Sequence, residues 1–161
     1  MRYKTSRRIV REKALQILYA YEFNSEGLQA LLDSNFSDVE SAEERSFGED
    51  LVNRTIISKK AFDSEIEKRL SNWELKRIAM IDRLLLRMGM CEILNFPEIP
   101  PKVSINEAIE ISKAFSTAGS GKFINGILDN YLSDLKESGS LRKTGRGLLE
   151  KIRQLTDRQS G

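Results

Sequence analysis

The 161-residue chain contains no histidine. The usual general base at neutral pH and the commonest metal ligand are therefore missing. A single cysteine, Cys91, excludes an internal disulfide and cannot build a thiolate zinc site. Without histidine it also lacks the partner that activates a cysteine nucleophile, and its apolar neighbours mark it as a small core residue. No catalytic residue, metal site or cofactor is expected. All three prolines fall between 97 and 101, so no other helix is interrupted by one. No apolar run approaches the roughly 20 residues of a membrane span. The charged N-terminus is not followed by the apolar core of a secretory signal. The expectation is a soluble, cytoplasmic chain without enzymatic activity or a membrane partner.

What is present is charge, unevenly placed. A formal net charge of +2 combines +5 over residues 2–13, +4 over 141–161 and −7 over 14–140. A basic end on an acidic body suits attachment to a polyanion, and the acidic body suits a basic protein.

Helical periodicity dominates and strand alternation is absent, so the fold is expected to be all-α with about seven helices. The first helix should span Ser6 to Phe23 and the second Glu26 to Asp33, with a loop over Asn35–Glu40. Ser41-Ala42-Glu43-Glu44 reads as a capping box, the Ser hydroxyl and the Glu carboxylate satisfying free amides of a helix that runs to Ile57. Ser58 caps a helix ending near Leu70. Ser71-Asn72-Trp73-Glu74 is a second box, opening a helix from Leu75 to Phe96 that is apolar nearly all round and hence central to a bundle. Trp73 is expected as a core or inter-subdomain anchor. Pro97–Pro101 forms an extended connector, and Ser104-Ile105-Asn106-Glu107 is the third and clearest box. Gly119-Ser120-Gly121 breaks the chain before a last core helix in which Phe123, Ile124, Ile127, Leu128, Tyr131, Leu132 and Leu135 share one face. Two subdomains are expected, at about 1–72 and 73–138. Residues 139–161 form a basic extension, mobile or loosely helical over Leu148–Leu155.

Three features bear on function. At 100° per residue, Lys4, Arg7, Arg8 and Arg11 occupy one arc of roughly 100° on the first helix, beside an apolar stripe of Val10, Ala14, Ile17 and Tyr21. Guanidinium forks match phosphate oxygens, although a solvated charged face explains such a run equally well. Gly119-Ser120-Gly121-Lys122 resembles the end of a phosphate loop but lacks the motif's glycine at Ser116, its hydroxyl residue at Phe123 and a preceding strand. Its backbone amides and Lys122 still suit an anion, and Phe123 is either a stacking ring or a core residue. Asp82 lies beside Arg83 and Arg87. A structural ion-pair network, in which those arginines share Asp82 or Glu92, is the more natural reading, with a minor role for Asp82 at base edges as the alternative.

Together these residues resemble the NusB family of transcription antitermination factors, over about Arg7 to Leu132. The likeness lies in three blocks. The first is Arg7-Arg8-x-x-Arg11-Glu12-x-Ala14-x-Gln16-x-Leu18-Tyr19. The second is Ile81-Asp82-Arg83-x-Leu85-Leu86-Arg87, ending at Glu92. The third is Pro101-x-Val103-x-Ile105-Asn106-Glu107-Ala108-Ile109-Glu110, then Lys113-x-Phe115 and Lys122-Phe123-Ile124-Asn125-Gly126-Ile127-Leu128-Asp129. The resemblance implies two small helical bundles packed together, with the Pro97–Pro101 connector between the halves. It implies a non-enzymatic role in which boxA RNA of ribosomal RNA leader transcripts is bound together with the ribosomal protein NusE, in an antitermination complex on RNA polymerase. The family's arginine-rich start maps to Arg7, Arg8 and Arg11, and its second RNA region to Gly119, Ser120, Lys122 and Phe123. Tyr19 and Asp82 match positions near that surface, and Lys4 extends the basic arc. Gly119-Ser120-Gly121 replaces the bulkier or acidic residues common before the lysine. The alternative is a stand-alone RNA-binding or protein-interaction module related to the N-terminal part of ribosomal RNA cytosine methyltransferases, or a homodimer that hides the arginine face.

Overall fold

The computed structural model describes residues 4–71 and 74–148. Among them are seven α-helices and no strand: α1 (Ser6–Phe23), α2 (Leu28–Phe36), α3 (Ala42–Ile57), α4 (Lys59–Glu67), α5 (Met80–Asn95), α6 (Pro101–Phe115) and α7 (Ser120–Glu137). The all-α expectation holds. No described helix is long and apolar enough to cross a membrane, and no group of three or more acidic or thiol side chains among the described residues could hold a metal.

The central helix is α5. Leu84, Leu85, Leu86, Met88, Met90, Cys91 and Ile93 are all buried, so it is enclosed on nearly every side, as its apolar circumference required. Helices α1, α3, α4, α6 and α7 all contact it. Burial pushes the Cys91 thiol up to about 11, which leaves it neutral in the core. One apolar cluster runs from Val10 of α1 to Leu132 of α7.

Helix boundaries follow the local chemistry, with departures from expectation at α2, α3, α4, α5 and α6. Thr5 accepts the Arg8 amide at 3.1 Å and starts α1. Ser41 caps α3 through the Glu44 amide at 3.3 Å, but the Glu44 carboxylate leaves the box for Arg7. Helix α2 starts later than expected and runs on to Phe36, because Gly27 sits at φ +72° and Leu32 and Phe36, one turn apart, are both buried. Ser58 gives α4 no side-chain cap, and the helix ends at Glu67 before a tight turn to Leu70.

The long helix expected from Leu75 begins only at Met80. Leu75–Arg77 form a single 3₁₀ turn, and Ala79 is extended at ψ 138°. Arg83 holds that turn by donating to the Leu75 carbonyl at 2.8 Å. The proposed Ser71–Glu74 box includes Asn72 and Trp73, which lie outside the described residues. The box at Ser104 is also corrected. Pro101 occupies the first turn of α6, and proline disfavours helical geometry in the residue before it, so Pro100 at ψ 136° is the boundary. Ser104 lies one turn inside, and its hydroxyl donates to Glu92 at 3.1 Å.

Beyond α7 the chain doubles back. The Ser140 and Leu141 amides bond the Leu135 carbonyl at 2.9 and 3.2 Å, and Leu141 packs on the core. Lys143 Nζ donates to the carbonyls of Phe96 and Glu92 at 2.9 and 3.3 Å, at the negative end of the α5 dipole. The Thr144 amide bonds the Pro97 carbonyl at 3.0 Å. Residues 139–148 are thus tied to α7, to the end of α5 and to the Pro97 carbonyl, Arg146–Leu148 are helical, and the rest of the helix expected over Leu148–Leu155 lies outside the described residues. A Cβ at Gly147 would stand 2.3 Å from the Pro97 carbonyl oxygen, which leaves no room for a side chain. Gly147→Ala is therefore expected to release this strap while α1–α7 stay folded. Hydrogen exchange of the Thr144 amide should accelerate strongly against unchanged core amides; unchanged protection there would contradict the docking.

Candidate nucleic-acid interface

The arginine end of α1 is gripped by carboxylates from three other helices. Arg7 Nε and Nη2 donate to Glu44 of α3 at 2.8 and 3.1 Å, and the guanidinium lies 3.9 Å from the centre of the Phe47 ring. Arg8 makes the same two-pronged contact with Glu107 of α6 at 2.8 and 3.0 Å. Arg11 pairs with Glu92 of α5 at 2.9 and 2.7 Å. Lys4 donates to Glu12 at 2.9 Å. The hydrogen bond that Arg8 donates to Glu107 raises the pKa of Arg8. For Arg11, burial acts to lower the pKa, but the charge and hydrogen bonds of Glu92 outweigh it and the net shift is upward.

Exposure then separates these cations. The side chains of Arg7 and Arg8 keep 28% and 26% of their surface, whereas Arg11 keeps 4%. Arg7, Arg8 and Lys4 can meet an external anion along one edge. The expectation that Arg11 faces an RNA phosphate does not fit its burial: its fork is closed on Glu92, and it ties α1 to α5.

The second region is the α6–α7 junction. Asp82, buried near the start of α5, accepts hydroxyl hydrogen bonds from Ser116 at 2.6 Å and Ser120 at 2.9 Å. Ser120 also lies 2.9 Å from the Ser116 hydroxyl and 3.1 Å from that of Thr117. Asp82 and Ser120 thus fix the junction from inside. The arginine network expected around Asp82 is corrected. Arg87 pairs with Asp63 at 2.7 and 2.9 Å and with Glu22 at 3.3 Å, not with Asp82 or Glu92. Residues five apart on a helix diverge by about 140°, which puts both Asp82 and Glu92 out of reach of Arg87.

The surface of the junction is carried by Gly119, Lys122 and Phe123. Gly119 precedes α7 with open space beside its Cα. Gly121 lies close on α6, where its Cβ would approach Ile109 to 3.3 Å. Lys122 is exposed and forms no ion pair among the described residues. Phe123 is half-buried: it packs against the core and also lines two clefts. The larger, about 550 Å³, sets Phe123 among Lys68, Arg69 and Lys122. The smaller, about 450 Å³, adds Arg77, Ala79, Asp82 and Thr117. No carboxylate lines the larger cleft. Sequence reasoning missed Lys68 and Arg69; their only signal was adjacent cations just past a helix end, and what they face depends on α7. Arg69 is held by Glu65 at 2.8 Å and by Asp134, while its buried Nε has no acceptor.

Both regions border α6, since Arg8 meets it at Glu107 and α7 meets it at Ile109 and Ser112. These contacts lie within about 8 Å along the helix axis. The exposed arc of α6 bearing Lys102, Asn106 and Lys113 runs between them. Tyr19 stands apart, about 16 Å along α1 from Arg8. It is 41% exposed, with its ring 4.9 Å from that of Phe23, itself 69% exposed.

The model of the NusB family matches residues 8–133. The chain belongs to the NusB family. It is 46% identical over 149 residues to the transcription antitermination protein NusB of Salinibacter ruber, an alignment covering 90% of this chain and 92% of that one. Its fold matches that of NusB from T. maritima with a TM-score of 0.75 at 32% identity, over 82% of this chain and 94% of the other. A more distant match comes from a crystal structure of the antitermination factors NusB and NusE in complex with dsRNA, at 23% identity and a TM-score of 0.71, covering 80% of this chain and 97% of that one. At that identity the likeness concerns the fold alone. NusB proteins are transcription antitermination factors and not enzymes.

Proposed function

We propose that this NusB chain binds the boxA element of ribosomal RNA leader transcripts jointly with NusE, within an antitermination complex on RNA polymerase. The observation that carries the RNA site is the Lys122–Phe123 corner. There an unpaired ammonium and a half-exposed ring line one cleft with Lys68 and Arg69. A cation beside an aromatic face suits one nucleotide, phosphate on the first and unstacked base on the second. Arg7 and Arg8 add a second anchor across α6, where a phosphate shares their forks with Glu44 and Glu107. That internal competition, and the few phosphates engaged, keep the lone protein's affinity modest and salt-sensitive. The solved NusB–NusE–RNA assembly of a protein with this fold supports a shared RNA surface. The acidic body around α5 is the face offered to NusE.

The test is anisotropy titration of boxA and scrambled single-stranded RNA over a salt series. The boxA strand should bind more tightly, and Lys122→Ala should make the log–log salt slope shallower by about 0.7, the share of one phosphate on a single strand. Equal affinity for both strands would remove boxA from the reading. NusE captured from a lysate should remain bound after ribonuclease treatment; its loss would mean that RNA alone bridges the two proteins.

A further inference from the structure

We propose that the C-terminal strap, residues 139–148, holds Arg142 and Arg146 as a further phosphate-binding edge continuous with the arginine end of α1. The inference rests on the RNA reading above and extends it to residues outside the matched family region, which ends at 133.

The strap is built into the molecule at one end of α5. Lys143 is bound to the last carbonyls of that helix and Thr144 to the Pro97 carbonyl. Gly147 is so close to Pro97 that no side chain fits. The α1 arginines converge on this same end. Glu92 takes Arg11 on its carboxylate and Lys143 on its carbonyl. Phe96, whose carbonyl also receives Lys143, stands edge-on to Phe47 at 5.3 Å, and Phe47 carries the Arg7 guanidinium. Arg54 lies 5.9 Å from the Phe96 ring centre. Arg7 and the strap are therefore linked through two rings packed edge to face.

The charge of the strap has one sign. Residues 138–149 contain three cations and no carboxylate. Arg142 is exposed, with one guanidinium nitrogen on the Gly139 carbonyl, and Arg146 is exposed with no ion pair among the described residues. Lys143 serves as the anchor between them. This contrasts with Arg7 and Arg8, whose carboxylate partners already occupy their forks. Two exposed guanidinium groups on the strap and two half-open ones on α1 suit the repeating phosphates of an RNA strand rather than a single carboxylate.

The experiment measures binding of a single-stranded RNA that carries boxA with flanking nucleotides, over a salt series, for the full chain and Arg142→Ala/Arg146→Ala. The slope of log affinity against log salt should become shallower by about 1.4, the share of two phosphates, with melting unchanged. Gly147→Ala, which keeps both arginines but undocks them, should produce part of the same loss. Lys60→Ala, an exposed cation of α4, should leave the slope within about 0.2 of wild type if binding is local. An unchanged slope in the double variant, or in Gly147→Ala, would overturn the strap while the RNA reading stands. So would a fall of about 0.7 for Lys60→Ala, the value for loss of one engaged phosphate. Failure of the unmodified chain to bind the RNA at all would overturn both.

Discussion

Arg11→Met should melt roughly 10 °C below the wild type, from a loss of about 3–5 kcal/mol at about 2–4 °C per kcal/mol for a chain of this size. The Arg11 guanidinium is the principal partner of the Glu92 carboxylate, which is 2% exposed and, among the described residues, otherwise receives the Ser104 hydroxyl. Removing the cation strands that carboxylate in the core. The penalty lies in the uncompensated charge rather than in the worth of the pair, so Arg11→Met with Glu92→Met should recover most of the lost stability. Differential scanning calorimetry separates the two cases. Below its melting temperature Arg11→Met should bind RNA as the wild type does, since its fork never reaches solvent. A variant that melts normally and binds RNA weakly would return Arg11 to the RNA face.

Phe123→Leu should weaken boxA binding by about 5- to 150-fold, the range for loss of one base–aromatic stack of about 1–3 kcal/mol. Leucine keeps an apolar group against the core but presents no π-face to the cleft. Melting should move by only a few degrees, because apolar swaps of comparable volume cost under about 1.5 kcal/mol. The reverse pattern, a large loss of stability with undiminished RNA affinity, would assign the ring wholly to packing.

These two residues show why parts of the site were hidden. Arg11 belongs to the basic arc of α1 by periodicity, and nothing local distinguishes it from Arg7 or Arg8. Its fate is set by Glu92, 81 residues away, which reaches it only after α5 packs across α1. Phe123 stood between core and ligand because its ring both packs on the core and lines a cleft, and that cleft needs Lys68 and Arg69 from the turn after α4. Ser104 followed by Glu107 had the spacing of a cap, yet Pro101 had already started the helix. Local pattern was overruled there by a backbone constraint three residues earlier.

From residue order alone came the all-helical class, the enclosed helix through Leu84–Ile93, the basic ends on an acidic body and the Lys122–Phe123 corner. Each depends on periodicity, proline chemistry or charge counts, which are properties of neighbours along the chain. Tertiary structure alone decided which cations remain available to a ligand and that residues 139–148 are docked. Those outcomes depend on carboxylates and carbonyls brought in from distant helices, since the state of a charge is set by what surrounds it in space.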